Sequence, residues 1–418
     1  MNPQDAGTGG SFRPALGFRE FVAIVAFTMS LGALSMDSML PAFGQMRTAF
    51  GLADPNEMQL TVVVFMAGFG VAQLLYGPLS DNWGRRPALM LGLGIFTLGS
   101  LMAIAAPSFE VLIAARLVQG IGAAATRIIT TAITRDRFEG AEMARVMALI
   151  MMVFIVVPVF APSIGSLILL AGGWRLVFAG MLAVGLVVAL WFHLRMPETL
   201  HPEYRMPLSA RRIGAAALRC IRTRQSFAAA TSTGLLYGCL MAYIASAEQI
   251  FAGPVYGLGP LFPVVFGLIA ALMGGASFTN SRLVRRLGIR RLLHTGQCGF
   301  VACALVMVGL ALGFDGRPPL VAFCLVLTAC LFLFSLTMPN FNALAMSPLG
   351  DIAGTASSLI GFYTTIGGAM LGGLVARFFD GTVIPLSLGF LVLGGASLAV
   401  TLWAEGGRLF GDAPAAPH

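Results

Sequence analysis

Twelve separate apolar runs, each about 20 residues long, constrain this chain more than any other feature. They cover approximately residues 18–42, 57–79, 87–106, 109–134, 143–170, 173–195, 227–252, 260–282, 290–313, 319–344, 352–377 and 382–404. In hydrocarbon the backbone must satisfy its own polar groups, so each run reads as a membrane-spanning helix. Composition enters as support. Of 418 residues, 57% are hydrophobic and only 11% charged, against about 25% charged in a soluble domain. That deficit excludes a soluble multidomain enzyme, and the hydrophobicity excludes disorder. The first run exceeds the roughly 7–15 residues of a signal-peptide core. It also contains Asp37 and completes an even set, so it is expected to be retained.

Residues 196–226 separate six runs from six. Pro197, Pro202 and Pro207, then Arg211, Arg212, Arg219, Arg222 and Arg224, mark a linker. The expected organisation is a six-helix half over 1–195, that linker, a second half over 227–404, and a tail from 405 to 418. All 26 basic residues are arginine, and the formal charge is +8. They cluster between apolar runs instead of along one polar face, which fits membrane topology and not nucleic acid. With the N-terminus inside, 20 arginines fall on the inner side and four, Arg47, Arg175, Arg317 and Arg377, on the outer. Both termini are therefore expected in the cytoplasm. The six cysteines lack CxxC spacing and read as small hydrophobes, and the four histidines lie at no ligand spacing, so no metal is expected.

The two halves also repeat. Between the second and third runs stands Gly77-Pro-Leu-Ser-Asp81-Asn-Trp-Gly84-Arg85-Arg86, and between the eighth and ninth Ser281-Arg-Leu-Val-Arg285-Arg-Leu-Gly288-Ile-Arg290-Arg291. Each sets a glycine turn and arginines on the same side of the same pair of spans. Parallel six-helix repeats with a site at their interface are a transporter architecture.

The motifs then point to a family. Gly77-x-Leu79-x-Asp81-x-x-Gly84-Arg85-Arg86 resembles the signature loop of the major facilitator superfamily. Arg116-Leu-Val-Gln119-Gly120-Ile-Gly122-Ala123 resembles its fourth-span motif, and Pro158-Val-Phe-Ala161-Pro162-Ser-Ile-Gly165 its antiporter motif. Met36-Asp37-Ser-Met-Leu-Pro41, Ala242–Phe251 and Ala353–Ser358 are similar to the bicyclomycin-resistance (Bcr/CflA) type of bacterial multidrug efflux transporter. The resemblance covers residues 18–404. It implies an all-α fold of twelve membrane helices around a central cavity, in the bacterial inner membrane. It further implies drug export in exchange for protons, by alternating access, with no cofactor and the chain acting as a monomer. The transport alternative is export or symport of a metabolite such as a sugar or amino acid. A membrane enzyme or receptor lacks support, since the sequence shows no P-loop, no Ser-His-Asp arrangement and no HExxH.

A charge inside a bilayer costs at least ~2.5–3.5 kcal/mol, which singles out Asp37, Arg116, Arg127 and Glu248. Asp37 and Arg116 are expected at depths within about one helical turn, close enough to pair. Such a pair is either a proton switch, with the arginine opposing the effect of burial on the carboxyl, or a permanent tie between helices. Met29 stands where related transporters often carry a second acid. Glu248 is expected at the depth of Asp37, as a second titratable acid or as a solvated interfacial one. Arg127 follows Arg116 by 11 positions, about 20° apart around the helix. It faces substrate in the cavity or snorkels to the inner interface.

Asp81, Arg85 and Asp136 are expected to form an inner charge cluster, implied by the resemblance to be a gate, with Asp81 facing the start of the eleventh span near Gly354. The alternative is a loop whose arginines only set orientation. Pro162 and Gly165 are expected to let the fifth span move. Met151, Phe154, Tyr237, Tyr243, Asn340 and Tyr363 suit an apolar drug with a few polar groups.

Overall fold

The computed structural model describes residues 16–410, apart from 139, 202, 204 and 206–209. Among the described residues the regular structure is all helical, and twelve spans are long and apolar enough to cross a membrane.

The first span begins as α1 (Phe18–Asp37). Its buried hydroxyls are satisfied locally: Thr28, Ser30 and Ser35 each donate to the carbonyl four residues back, at 2.6, 2.8 and 2.7 Å. The α-helix stops at Asp37, just before Pro41, which has no N–H to continue the ladder. The chain tightens into a 3-10 turn, Leu40–Ala42, and continues as α2 (Phe43–Phe50), ended by Gly51 at φ 65°. The span therefore runs eight residues beyond the expected boundary at 42. Asp37 lies at a break inside it, 13 positions before Phe50.

The first half continues with α3 (Leu60–Trp83), α4 (Arg85–Ile104), α5 (Phe109–Arg137), α6 (Gly140–Ala171) and α7 (Arg175–Arg195). The expected linker contains a helix, α8 (Ala210–Arg222), with Ala216 buried and Leu218 and Ile221 exposed. The second half comprises α9 (Arg224–Ala247), α10 (Phe262–Leu287), α11 (Ile289–Gly313), α12 (Leu320–Met346), α13 (Ala353–Arg377) and α14 (Ile384–Ala404). A π-helical turn, Glu248–Ala252, prolongs α9.

Packing repeats between the halves. α1 touches α5, α6 and α7 as α9 touches α12, α13 and α14, while α5 sits on α3 and α4 as α12 sits on α10 and α11. Two seams join the halves, α3 with α13 and α6 with α10. The α3–α13 seam is close enough that a methyl at Gly70 would come within 2.8 Å of Ile366, and one at Gly77 within 2.8 Å of Ser358 Oγ. Midway along it, Gln73 Nε2 donates to Thr365 Oγ1 at 3.1 Å. In the other seam, a methyl at Gly267 would lie 2.6 Å from the Val159 carbonyl oxygen.

Candidate functional site

At the end of the bundle where both described termini emerge, hereafter the arginine-rich end, Gly84 joins α3 to α4 with φ 111°. A side chain there would meet Glu198, whose carboxylate needs the space. Glu198 accepts from the backbone amides of Arg85 and Arg86 at 2.8 and 3.0 Å. The first turn of α4 offers unpaired N–H groups that favour an anion. Arg85 is only 4% exposed. Its Nε donates to Asp136 Oδ2 at 2.8 Å, and its Nη1 donates to Ser80 Oγ at 3.0 Å and pairs with Asp81. Thr199 Oγ1 donates to the same Asp136 oxygen at 3.2 Å. The cluster thus binds α3, α4, α5 and the segment after α7, all in one half. The expected approach of Asp81 to Gly354 is not formed. Asp81 turns back to Arg85, one helical turn on, and a methyl at Gly354 would find nothing within 4 Å.

Arg116 is completely buried in the interior of the first half. Its Nε donates to the Thr61 carbonyl at 3.3 Å and its Nη1 to the Ser35 carbonyl at 3.4 Å and to Gln119 Oε1. The guanidinium lies 4.3 Å from the centre of the Phe65 ring. Gln119 passes the network on, donating to Ser100 Oγ on α4 at 2.8 Å. One arginine thereby ties α1, α3, α4 and α5 together through neutral acceptors.

The expected Asp37–Arg116 pair does not form. Arg116 approaches α1 at Ser35, and residues two apart on a helix project about 200° from one another. Asp37 instead faces the other half. Its carboxyl is 3% exposed, its Oδ1 has no hydrogen-bond partner, and its charge reaches the Tyr237 and Tyr243 hydroxyls on α9. Tyr243 stacks on Phe266 with ring centres 5.6 Å apart, and its buried hydroxyl is likewise without a partner. The half-buried Tyr237 also feels Arg127, which reaches it from α5 across the space between the halves. Asp37 and Arg127 therefore both lie near Tyr237, where the first half meets the second, whereas Arg116 does not.

At the arginine-poor end the contacts cross from half to half. Gln59 Nε2 donates to Gln249 Oε1 at 2.7 Å, and Gln249 Nε2 donates to the Pro55 carbonyl at 3.0 Å and to Asn56 Oδ1 at 2.9 Å. Asn56 Nδ2 donates to the Phe379 and Arg377 carbonyls at 3.0 and 3.2 Å, and Asp54 pairs with Arg377. Glu248 belongs to this level. A methyl at Gly44 would stand 4.0 Å from its Oε1, and Arg47 is the cation whose charge reaches it. Gly44 lies seven positions beyond Asp37, about 10 Å along the span. The two acids therefore do not share a depth, because the first span runs on through α2.

The sequence family follows from comparison. The model of the family described as Major Facilitator Superfamily matches residues 21–372. The chain belongs to the Major Facilitator Superfamily. It is a transporter and not an enzyme. The bicyclomycin resistance protein homolog of Haemophilus influenzae is 29% identical, covering 86% of this chain and 91% of that protein. Multidrug resistance protein D of Escherichia coli is 28% identical, covering 84% of this chain and 87% of that protein. Among solved structures, the partially occluded inward-open form of the Escherichia coli xylose transporter XylE matches with a TM-score of 0.73. It covers 94% of this chain and 99% of that one at 12% identity, which speaks to fold alone.

Within the superfamily fold the remaining expected residues fall in different places. Gly165 packs directly on the Ser38 backbone at the break after α1, and Pro162 is buried one turn before it in α6. Met151 is half-buried on α6, while the side chain of Phe154 lies outside the described residues. Asn340 is buried and donates to Asn280 Oδ1 at 2.7 Å, so it links α12 to α10. Tyr363 is 42% exposed, with its hydroxyl 3.2 Å from Thr231 Oγ1. Sequence reading missed Glu198 and the Gln59–Gln249 pair. The first stands just beyond an arginine-ended span, next to a motif that leaves an α-helix N-terminus uncapped. The other two are amides in apolar surroundings, which demand a partner when buried.

Proposed function

We propose that this chain exports small amphipathic drugs across the bacterial inner membrane in exchange for protons, as a monomer with both termini in the cytoplasm. The printed names of its relatives, a bicyclomycin resistance homolog and multidrug resistance proteins, support export of drugs. One observation carries the proton coupling: Asp37 is a buried, unpartnered carboxyl at a helix break, facing the opposite half. An ionised carboxylate in such a site is costly, so the closed arrangement tolerates the neutral acid best. Opening to water lets the proton leave, and a fresh proton or a drug then restores the closed form. Arg116, fixed two residues away at the Ser35 carbonyl, couples the charge on its own half to any displacement of α1. The proton gradient alone supplies the energy, and no cofactor takes part.

The test is a growth-inhibition panel in an efflux-deficient bacterium, with uptake by inside-out vesicles under an imposed pH gradient. The chain should confer drug resistance and gradient-driven uptake. Asp37→Asn should lose at least tenfold of gradient-driven flux while still exchanging drug downhill, because the step removed is protonation. Full gradient-driven flux in the variant would overturn the coupling. Movement of sugars or amino acids in place of drugs would overturn the substrate class.

A further inference from the structure

Among the described residues, Arg116 and Arg127 are the arginines deepest within a span, and their surroundings differ completely. Arg116 is enclosed inside its own half, where Nε and Nη1 donate to carbonyls and an amide and the guanidinium lies over a ring, leaving Nη2 buried without a hydrogen-bond partner. Arg127 is exposed and, among the described residues, makes no ion pair. It cannot be a snorkelling interfacial residue. The polar cluster that marks the arginine-rich end includes Asp136, nine positions on, roughly 14 Å along α5, farther than the side chain spans. Nor does it face lipid. It continues the stripe of Gly120 and Ala123, which pack on Phe65 of α3 and Gly32 of α1, and its charge reaches Tyr237 of the other half. Of the acids away from the span ends, Asp37 also lies near Tyr237, and Glu248 is at the level of Gly44 near the arginine-poor end; neither makes an ion pair with Arg127 among the described residues. A guanidinium thus stands exposed on the side of α5 that faces the other half, with no ion-pair partner among the described residues.

We propose that the cavity takes amphipathic molecules carrying an acidic group, and that Arg127 binds the anion. The inference rests on the export reading for its route but not for its chemistry. A guanidinium presents a planar fork of N–H donors that matches a carboxylate or a similar oxyanion in two parallel hydrogen bonds. The adjacent Tyr237 offers an aromatic face and a hydroxyl to the ring system that bears the acid. The Asp37 carboxyl and the Tyr243 hydroxyl on that side have no hydrogen-bond partner in the closed arrangement, so each can accept from a donor group of the molecule once the halves part. A molecule so held has its anion toward the arginine-rich end and its neutral or donor end toward Asp37. The same arginine disfavours a simple organic cation at that position.

Equilibrium binding to the purified full-length protein in detergent decides the proposal, using aromatic carboxylic acids, a quinolone acid among them, each paired with its neutral methyl ester. The acids should bind more tightly than their esters. Arg127→Ala should weaken acid binding about ten- to hundredfold and leave ester binding within twofold, and Arg127→Lys should recover part of the loss. The proposal is overturned if no acid outbinds its ester, if Arg127→Ala weakens acid and ester equally, or if it changes neither. Gradient-driven flux in proteoliposomes is scored separately. Absent flux with an intact acid preference would remove the export reading and leave the anion site standing.

Discussion

The two ends of the bundle are held by opposite kinds of contact. At the arginine-rich end the ion pairs among the described residues stay within a half: Arg85 with Asp81 and Asp136, Arg195 with Glu20 at 2.6 Å, and Arg290 with Glu405. At the arginine-poor end the polar bonds cross between halves, through Gln59, Gln249, Asn56, Asp54 and Arg377. The first kind makes each six-helix half a rigid body, since it joins helices that move together. The second kind adds a polar network between the two bodies at the arginine-poor end, beyond the seam packing and the Gln73–Thr365 bond. A transporter of this architecture works by rocking one repeat against the other around a fixed site. The described state is therefore latched at its arginine-poor end, and the charge content of an end does not reveal whether it is the latched one.

The strongest way to break this comparison is Arg85→Ala. Removing a buried partner leaves Asp136 uncompensated, which costs about 3–5 kcal/mol. The lower part of that range is expected, since the Asp81 side chain is 42% exposed and regains water. Thermal unfolding of the purified protein should shift accordingly. Distances between spin labels across the arginine-poor end should not change. If that end opened in the variant, the cluster would be holding the halves together and the distinction would fail.

Gln249→Ala should do the converse. It removes a 4%-exposed amide that makes three hydrogen bonds across the interface and leaves the buried Gln59 with only a long donation to Asn56 Oδ1 at 3.5 Å. At about 1–3 kcal/mol for an unsatisfied buried group, the balance should move about five- to hundredfold toward an open arginine-poor end. Spin-label distances there should lengthen while unfolding changes little. Loss of stability at unchanged distances would make the amides packing residues and not a latch.

The sequence made the within-half order more legible than the between-half order, for a physical reason. Span number and the repeat follow from apolar length and from loop motifs, both local signals. The charge cluster also follows, since Asp81 and Arg85 lie one helical turn apart and Asp136 ends a neighbouring span. Depth within a span was less legible. A single proline, Pro41, marks the 3-10 turn that carries the first span on to Phe50, and with it goes the supposed level match of Asp37 and Glu248. Side-chain direction was not legible at all: Arg116 and Asp37 share a level but look into different compartments. Cross-half partners such as Gln59 and Gln249, 190 positions apart, have no local signature whatever.

The weakest member of the latch sharpens the comparison by what it should fail to do. Asp54 accepts from the Asn56 backbone amide at 2.8 Å and pairs with Arg377, and these hold its carboxyl below the ordinary 3.8. A carboxyl lowered in the latched state supports that state fully above the ordinary value. The support is lost only as pH falls through the lowered one. Between about pH 8 and about pH 5 Asp54 is ionised whether latched or free, so it contributes no pH dependence to closure there. The pair is also exposed, at 55% for Arg377 and 36% for Asp54, where ion pairs contribute little. Asp54→Asn, which keeps an acceptor for the Asn56 amide, should thus shift the closed population by about two- to fivefold at most, by the same amount at every pH in that window. A response of the spin-label distances to protons between those values that survives in Asp54→Asn then comes from other groups, Asp37 and Glu248 in the spans among them. A pH response that vanished in Asp54→Asn would move the proton sensor out of the cavity and onto the latch itself.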